Sequence, residues 1–216
     1  MNFTRLQISI ILAFTAAVWF GILCLFDVEV TTKHLMPFSS VVGLLVVFAL
    51  LVEHVFWKFG WLQKWFVARP NLNGTWEVEI VSSWVNPDTG EEVPPIKCYM
   101  GVSQSLSTLQ MHLMTEESES WCIAQSIQLA QSGKGYQISA VYTNKPRVTL
   151  RESRSSMHLG AFVMETHGNK ECFPEHIGGE YWTDRKTTGT ISMSNRSPTL
   201  HTRFEDARTH FEAKAC

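Results

Sequence analysis

The strongest constraint on the fold is a run of 21 residues without a charge, from Leu6 to Phe26. As a helix rising 1.5 Å per residue, this run covers roughly 30 Å, which is the thickness of the hydrocarbon core of a bilayer. It is longer than the apolar region of a signal peptide, and no clean small-x-small cleavage site precedes Asp27. The pattern therefore predicts a transmembrane helix over about residues 6–26.

A second apolar run begins only eight residues later, after the loop from Asp27 to His34. Leu35 to Val52 spans 18 residues, and the helical pattern continues to about residue 56. Two such runs separated by a short loop predict a transmembrane hairpin, with spans at about 6–26 and 35–56. We place this hairpin in a domain that covers residues 1–67.

The charges that flank the two spans predict how the hairpin is oriented. The connecting loop carries two carboxylates against one lysine. The outer ends carry the basic residues Arg5, Lys58, Lys64 and Arg69. Because basic flanks stay on the cytoplasmic side of a membrane, we expect a two-pass protein with both termini in the cytoplasm. The domain at residues 68–216 is then cytosolic.

From Pro70 onward the chain resembles an ordinary soluble domain and is acidic. It holds 13 Lys+Arg against 17 Asp+Glu, a net charge of −4. Electrostatic binding of long nucleic acid needs the opposite sign, so we expect no such partner. The five cysteines are odd in number and include no CxxC pair, which favours a reducing compartment.

Beyond Gly74 the helical period gives way to short alternating runs, and Trp76, Val78 and Ile80 alternate with polar residues. Seven further candidate strands follow, at 95–104, 107–115, 120–129, 135–144, 157–166, 177–184 and 187–194. Such spacing is typical of an antiparallel sandwich or an up-and-down barrel, and we predict the eight-stranded barrel. Eight strands close around a space for one small ligand. The Gly-x-Trp at residues 74–76 is similar to the opening of lipocalin-type barrels.

The tail of the chain has a helix-start pattern. Ser197-Pro198 reads as an N-cap followed by proline at the first helical position. Apolar residues then follow at helical spacing, namely Leu200, Phe204, Ala207 and Phe211. This pattern predicts a C-terminal helix that packs on the barrel and closes an end or an edge.

The sequence offers no catalytic motif, so we predict that the chain is not an enzyme and needs no cofactor. The best metal candidates are Glu165, His167, Cys172 and His176, whose spacing matches no familiar zinc site. We therefore predict no metal. The pairs Glu91-Glu92 and Glu116-Glu117 lie beside turn residues and are interpreted as solvated charge.

Polar residues that share a face of a predicted strand are the candidates for a ligand site. They are Tyr142 and Asn144 on the fifth strand, His158 on the sixth, and Tyr181, Thr183 and Arg185 on the seventh. If they point inward they suit a polar, anionic ligand, since arginine binds phosphate oxygens and aromatic rings stack on bases. Other interpretations stay open: Asn144 in a turn, His158 as a structural histidine, and Arg185 paired with Asp184 at the surface.

Several segments together resemble one family. They are the two N-terminal spans, LNGTW (72–76), SES (118–120), YTNKP (142–146), HLGAF (158–162) and GEYWTDRKTTG (179–189). The chain resembles the two-transmembrane, β-barrel effectors associated with CD-NTase enzymes in bacterial CBASS anti-phage operons.

The resemblance implies a function. The cytosolic barrel senses a cyclic oligonucleotide, and the size of the barrel suits a cyclic dinucleotide. Ligand binding then promotes homo-oligomerisation, the transmembrane segments disrupt the bacterial inner membrane, and the infected cell dies. Carried onto this chain, the ligand contacts fall on Tyr142, Asn144, His158, Tyr181, Thr183 and Arg185. The alternative is a membrane-tethered, lipocalin-like barrel for a hydrophobic small molecule, which requires an aliphatic lumen.

Overall fold

A computed structural model describes residues 13, 15–17, 19–21, 23–25, 43, 46–61, 69–85, 89–131, 135–150, 156–167 and 172–215. Within these residues, no helix combines the length and the apolar character needed to cross a bilayer. About half of the residues in the predicted spans at 6–26 and 35–56 lie outside the described residues, and the hairpin stays a prediction.

The chain divides into two compact units. The first comprises residues 1–59 together with residues 105–107, and the second comprises the rest. In the first unit, residues 46–54 are helical and a short 3-10 helix follows at Phe56–Lys58. The Glu53 carboxylate of this unit accepts hydrogen bonds from the Ser105 hydroxyl at 2.5 Å and from the Ser107 amide at 3.0 Å. The domain boundary at residues 67 and 68 stays a prediction.

The second unit is built on a closed barrel of eight antiparallel strands, which confirms the barrel part of the predicted fold. The strands are β1 (Gly74–Ser82), β2 (Ile96–Gln104), β3 (Leu109–Met114), β4 (Ser118–Leu129), β5 (Tyr136–Pro146), β6 (His158–His167), β7 (His176–Thr183) and β8 (Thr188–Ser197). Each strand pairs with the next along the chain, and β8 pairs with β1 to close the sheet. Because β5 runs to Pro146, Asn144 lies within a strand and not in a turn.

One end of the barrel is closed by the segment that leads into β1. The indole N–H of Trp76 donates to the carbonyl oxygen of Leu72 at 2.9 Å, and both side chains are fully buried. The Leu72 backbone amide donates to Oε1 of the Gln104 side chain at 2.9 Å. The side-chain nitrogen of Gln104, Nε2, donates in turn to the Pro70 carbonyl at 2.9 Å. The LNGTW segment therefore forms the base of the barrel.

An arginine on the last strand holds this base in place. Arg196 Nε donates to the Asn73 carbonyl at 2.7 Å, and Nη1 donates to the Asn71 carbonyl at 2.8 Å. The guanidinium carbon lies 5.7 Å from the ring centroid of Trp76, within the range of a cation–π interaction. Arg196 thus ties β8 to the residues that precede β1.

The C-terminal helix exists, but it begins later than predicted. It spans Phe204–Ala215, whereas Ser197 is the last residue of β8. The predicted N-cap at Ser197 is wrong because residues 198–203 are not helical, although the Ser197 hydroxyl accepts from the Thr199 amide at 3.3 Å; the same hydroxyl also bonds to His210 Nε2 at 2.9 Å. The segment after it is tied to β1, where the Thr75 hydroxyl donates to the Thr199 carbonyl and accepts from the His201 amide, each at 2.8 Å.

This helix packs on the outer wall of the barrel and not across an end. Phe204, Ala207 and Phe211 contact Tyr99 of β2 and Met114 of β3. The rings of Tyr99 and Phe211 are stacked, with their centroids 5.4 Å apart. The helix therefore covers neither end of the barrel: one end is closed by the segment before β1, and the helix does not reach across the other.

We predict that Arg196→Met lowers the free energy of unfolding by about 1.5–3 kcal/mol, because two carbonyl groups lose a charged donor. Urea unfolding of the purified chain measures this loss. Arg208→Met is the matched control, since Arg208 forms a surface ion pair with Glu205 at 2.7 Å and such pairs contribute about 0–1 kcal/mol. Equal losses in the two variants would contradict the role of Arg196.

Candidate ligand-binding cavity

The interior of the barrel is packed in one half and open in the other. Towards the closed end, buried apolar side chains such as Met111, Ile138 and Met193 fill the lumen. At the opposite end, where the odd-numbered strands finish, lies a cavity of about 870 Å³. Its floor includes the apolar residues Met100 and Phe162. A cavity of this volume is in the range of small-molecule sites.

All six residues that the sequence singled out line this one cavity: Tyr142, Asn144, His158, Tyr181, Thr183 and Arg185. They come from three neighbouring strands, β5, β6 and β7, and from the turn after β7. The sheet register pairs Asn144 with His158 directly across β5 and β6. The structure brings the six residues together, and their role in binding stays a prediction.

Tyr142 occupies space that a glycine on the neighbouring strand leaves free. Its register partner on β6 is Gly160. A Cβ atom at Gly160 would lie 2.8 Å from Tyr142 Cε2 and closer still to Cζ and the hydroxyl oxygen. Burial raises the pKa of the Tyr142 phenol well above its usual range. The ring is therefore held against the lumen wall with a hydroxyl that stays protonated.

Tyr181 repeats this arrangement one strand pair further round the barrel. Its register partner on β8 is Gly189, where a Cβ atom would lie 2.7 Å from Tyr181 Cε1. The same Cβ would also collide with the backbone carbonyl of Val81 on β1. Gly189 thus gives room both to the Tyr181 ring and to the close approach of β1.

Asn144 is buried at the centre of a hydrogen-bonded group near the mouth. Its amide nitrogen donates to Ser118 Oγ at 3.0 Å and to Ser120 Oγ at 2.9 Å. With both amide hydrogens used, Asn144 has its carbonyl oxygen to offer a ligand. Ser118 and Ser120 also line the cavity, and the sequence reasoning did not assign them a site role.

Thr183 lies at the end of β7, on the strand where it was predicted, whereas Arg185 does not. β7 ends at Thr183, whose amide donates to the Thr187 carbonyl at 2.9 Å. Arg185 therefore lies in the turn and not in the strand, although it still lines the mouth and is exposed there. Asp184 exchanges bonds with the backbone of Leu159, its Oδ2 accepting from the amide at 3.1 Å.

The rim of the cavity is more acidic than the sequence suggested. Four glutamates line it, namely Glu91, Glu92, Glu116 and Glu117, against the two cations Lys97 and Arg185. All four are exposed, as predicted for solvated charge, but they also surround the opening. Trp84, which follows β1, is a further lining residue that the sequence reasoning did not identify.

A thiol lines the interior, and its chemistry and that of a metal site bear on what the cavity can do. Cys122 lines the cavity, and burial raises the pKa of its thiol to about 12, so it stays protonated at neutral pH. In the described part of the chain, no three His, Cys, Asp or Glu side chains are grouped so that they could hold a metal ion.

Comparison with known protein families gives the barrel a family. Residues 67–195 match the family model of the Cap15 cyclic dinucleotide receptor domain. The chain belongs to this family. The match spans β1 to β7 and all but the last two residues of β8, and it contains every residue that lines the cavity. No curated protein matches the chain.

Membership in the Cap15 family confirms the resemblance to CBASS effectors. The barrel is a cyclic dinucleotide receptor domain. The family is a receptor family and not a catalytic one, which fits the expectation that the chain is not an enzyme. The SES, YTNKP, HLGAF and GEYWTDRKTTG segments all contribute to the cavity wall of this receptor, through residues such as Ser120, Asn144, Phe162 and Tyr181.

The glycine beside Tyr142 gives a test of the Cap15 cavity. We predict that Gly160→Ala displaces the Tyr142 ring into the lumen and weakens ligand binding at least several-fold. Overpacking of this kind costs about 1–3 kcal/mol. The barrel should still fold, because the atoms that the new methyl group meets belong to the far end of a flexible side chain.

Gly178→Ala is the matched control, since the nearest side-chain atom to its Cβ would be His167 Nε2 at 3.8 Å, an ordinary contact. Near-ultraviolet circular dichroism detects a change in the environment of the Tyr142 ring, and calorimetric titration with cyclic dinucleotides measures the binding affinity. If Gly160→Ala binds as tightly as Gly178→Ala, the Tyr142 ring does not shape the site.

Proposed function

We propose that the mouth cavity is the cyclic dinucleotide site and that Tyr142, Asn144, His158, Tyr181, Thr183 and Arg185 contact the ligand. The observation that carries this proposal is that one cavity of a cyclic dinucleotide receptor domain collects all six. Polar groups lie at the open end and apolar groups at the floor, so a ligand can enter with its charged part towards solvent.

The proposed roles follow from the chemistry of the side chains. The Tyr142 and Tyr181 rings lie against the wall beside glycines, which suits them to stack on bases. Arg185 at the rim offers paired donors to a phosphodiester, and the Thr183 hydroxyl lies on the adjacent strand end. Asn144 accepts a hydrogen bond from a base edge. A fatty-acid ligand finds less support, because a polar wall leaves hydrogen-bonding groups unsatisfied beside a hydrocarbon chain.

We further propose that residues 6–26 and 35–56 form a hairpin in the bacterial inner membrane, with the barrel in the cytoplasm. The charge-free first run and the basic flanks support this orientation. Ligand binding promotes homo-oligomerisation, membrane disruption and death of the infected cell. Such a switch needs a ligand that prefers the assembled state, by about 10⁴-fold to move a 1:99 equilibrium to 99:1.

The decisive experiment uses the full chain in detergent, titrated with a panel of cyclic di- and trinucleotides, linear dinucleotides and a fatty acid. We predict that one cyclic dinucleotide binds selectively and that Tyr181→Ala weakens it about 5- to 100-fold, as expected for loss of one stacked ring. Trp182→Ala is the matched control, because this neighbouring residue is on the outer face and 45% exposed.

The same variants, reconstituted from detergent into dye-loaded vesicles, test the membrane step. The ligand should assemble the wild-type chain, as seen by light scattering, and release dye, whereas Tyr181→Ala should do so only at higher ligand concentration. Equal losses in Tyr181→Ala and Trp182→Ala would remove the cavity from the proposal. Binding without assembly or dye release would remove the membrane step and leave the receptor.

The acidic rim leads to a separate prediction. Glu116→Gln combined with Glu117→Gln should bind the ligand several-fold more tightly at low salt, because two charges of the same sign as the phosphates are removed. The gain should shrink as salt is added, since ions screen exposed charges. Affinity measured across a salt series is the test, with Glu180→Gln, an exposed residue on β7 that does not line the cavity, as the control. A gain that is independent of salt would contradict the electrostatic explanation.

A further inference from the structure

Trp84 extends the inward-facing row of β1 beyond the end of that strand. Ile80, Ser82 and Trp84 alternate along the chain, and all three line the cavity. Trp84 is the last of the row, so it stands at the mouth. Its side chain is 43% exposed, which leaves a large aromatic surface in water beside the opening.

The backbone on both sides of Trp84 is anchored, which fixes the point at the rim from which the indole projects. Before it, the Ser83 amide and hydroxyl both donate to the Thr188 carbonyl at 2.8 Å, continuing the pairing of β1 with β8. After it, Val85 forms a β-bridge with Glu92. The Trp84 amide itself donates to Ser82 Oγ at 3.2 Å. Trp84 is therefore held at the rim by paired backbone on either side.

The charges around Trp84 decide which part of a nucleotide it suits. Glu91 and Glu92 line the rim on the far side of the same loop. Two carboxylates disfavour a phosphodiester there, whereas a neutral, flat base is not repelled. An exposed indole offers a large, flat aromatic surface on which a base can stack.

We propose that Trp84 stacks on one base of the bound cyclic dinucleotide and gives the site a preference for a purine at that position. This inference rests on the proposed function, because it takes the cavity as the ligand site. Purines present a larger ring face than pyrimidines, so a ligand with a purine at this position loses more affinity when the indole is removed. Arg185, in the turn that joins β7 to β8, remains the candidate for the phosphate.

The test measures affinity of the full chain in detergent for cyclic dinucleotides with two purines, one purine or two pyrimidines. Trp84→Ala should lose roughly 5- to 100-fold in affinity for the purine ligands, and less for the dipyrimidine. Trp84→Phe should keep most of the affinity. Trp84→Leu, which retains apolar bulk without a ring, should behave as Trp84→Ala does.

Trp182→Ala is the matched control for loss of an exposed tryptophan outside the cavity, and its affinity should equal that of the wild type. Thermal unfolding should be unchanged in every Trp84 variant.

Wild-type affinity in Trp84→Leu would overturn stacking, and equal losses of affinity for all ligands would overturn the purine preference. If the wild type binds and Trp84→Ala binds equally well, this inference fails and the proposed function stands. If the wild type binds no cyclic dinucleotide, the proposed function fails first.

Discussion

The pairing of β8 with β1 is the interaction on which the rest of the barrel depends. It removes the two free sheet edges, and it brings the end of the chain's last strand to the segment that precedes the first. Arg196 can then reach the carbonyl groups of Asn71 and Asn73, and Trp76 is buried beneath its guanidinium. One end of the lumen is sealed in this way and the lower half is filled with apolar side chains, so among the described residues the space for a ligand lies towards the other end.

The shape of the upper half depends on pairs of large and small residues across neighbouring strands. Two tyrosine rings lie against the wall because each has a glycine as its partner on the next strand: Tyr142 is paired with Gly160, and Tyr181 with Gly189. A partner with an aliphatic side chain would occupy the space that each ring now takes. The glycines lack a side chain, so they contribute to the cavity only through the room they leave. This explains why the HLGAF segment and the final glycine of GEYWTDRKTTG belong to the site although neither glycine can itself bind a ligand through a side chain.

Sequence patterns predicted the barrel and much of the cavity wall because strands β5 and β7 carry no bulge between their candidate residues. Two-residue alternation therefore assigned Tyr142, Asn144, Tyr181 and Thr183 to one side correctly. The bonds of Ser118 and Ser120 to Asn144 were not predicted because they join side chains of two neighbouring strands, and alternation along a single strand does not give the register between strands. The helix start failed for another reason: Ser197 has the chemistry of an N-cap, but it is the last residue of β8 and residues 198–203 after it are not helical. Trp84 was missed because it lies beyond the strand whose alternation would have pointed to it.

A closed and half-filled barrel limits where ligand binding can have an effect. Shifting an equilibrium requires differential interactions in the two states. The base of the lumen is well packed, and packed interiors resist continuous deformation. If the receptor works as proposed, the interactions that differ between the resting and the active state have to arise at the rim. Arg185, Trp84 and the four glutamates are exposed there. A dianionic ligand changes the charge of this acidic rim, and a stacked base covers the indole. Under the proposed oligomerisation, this alters the surface that a second copy would meet and requires no change in the strands below.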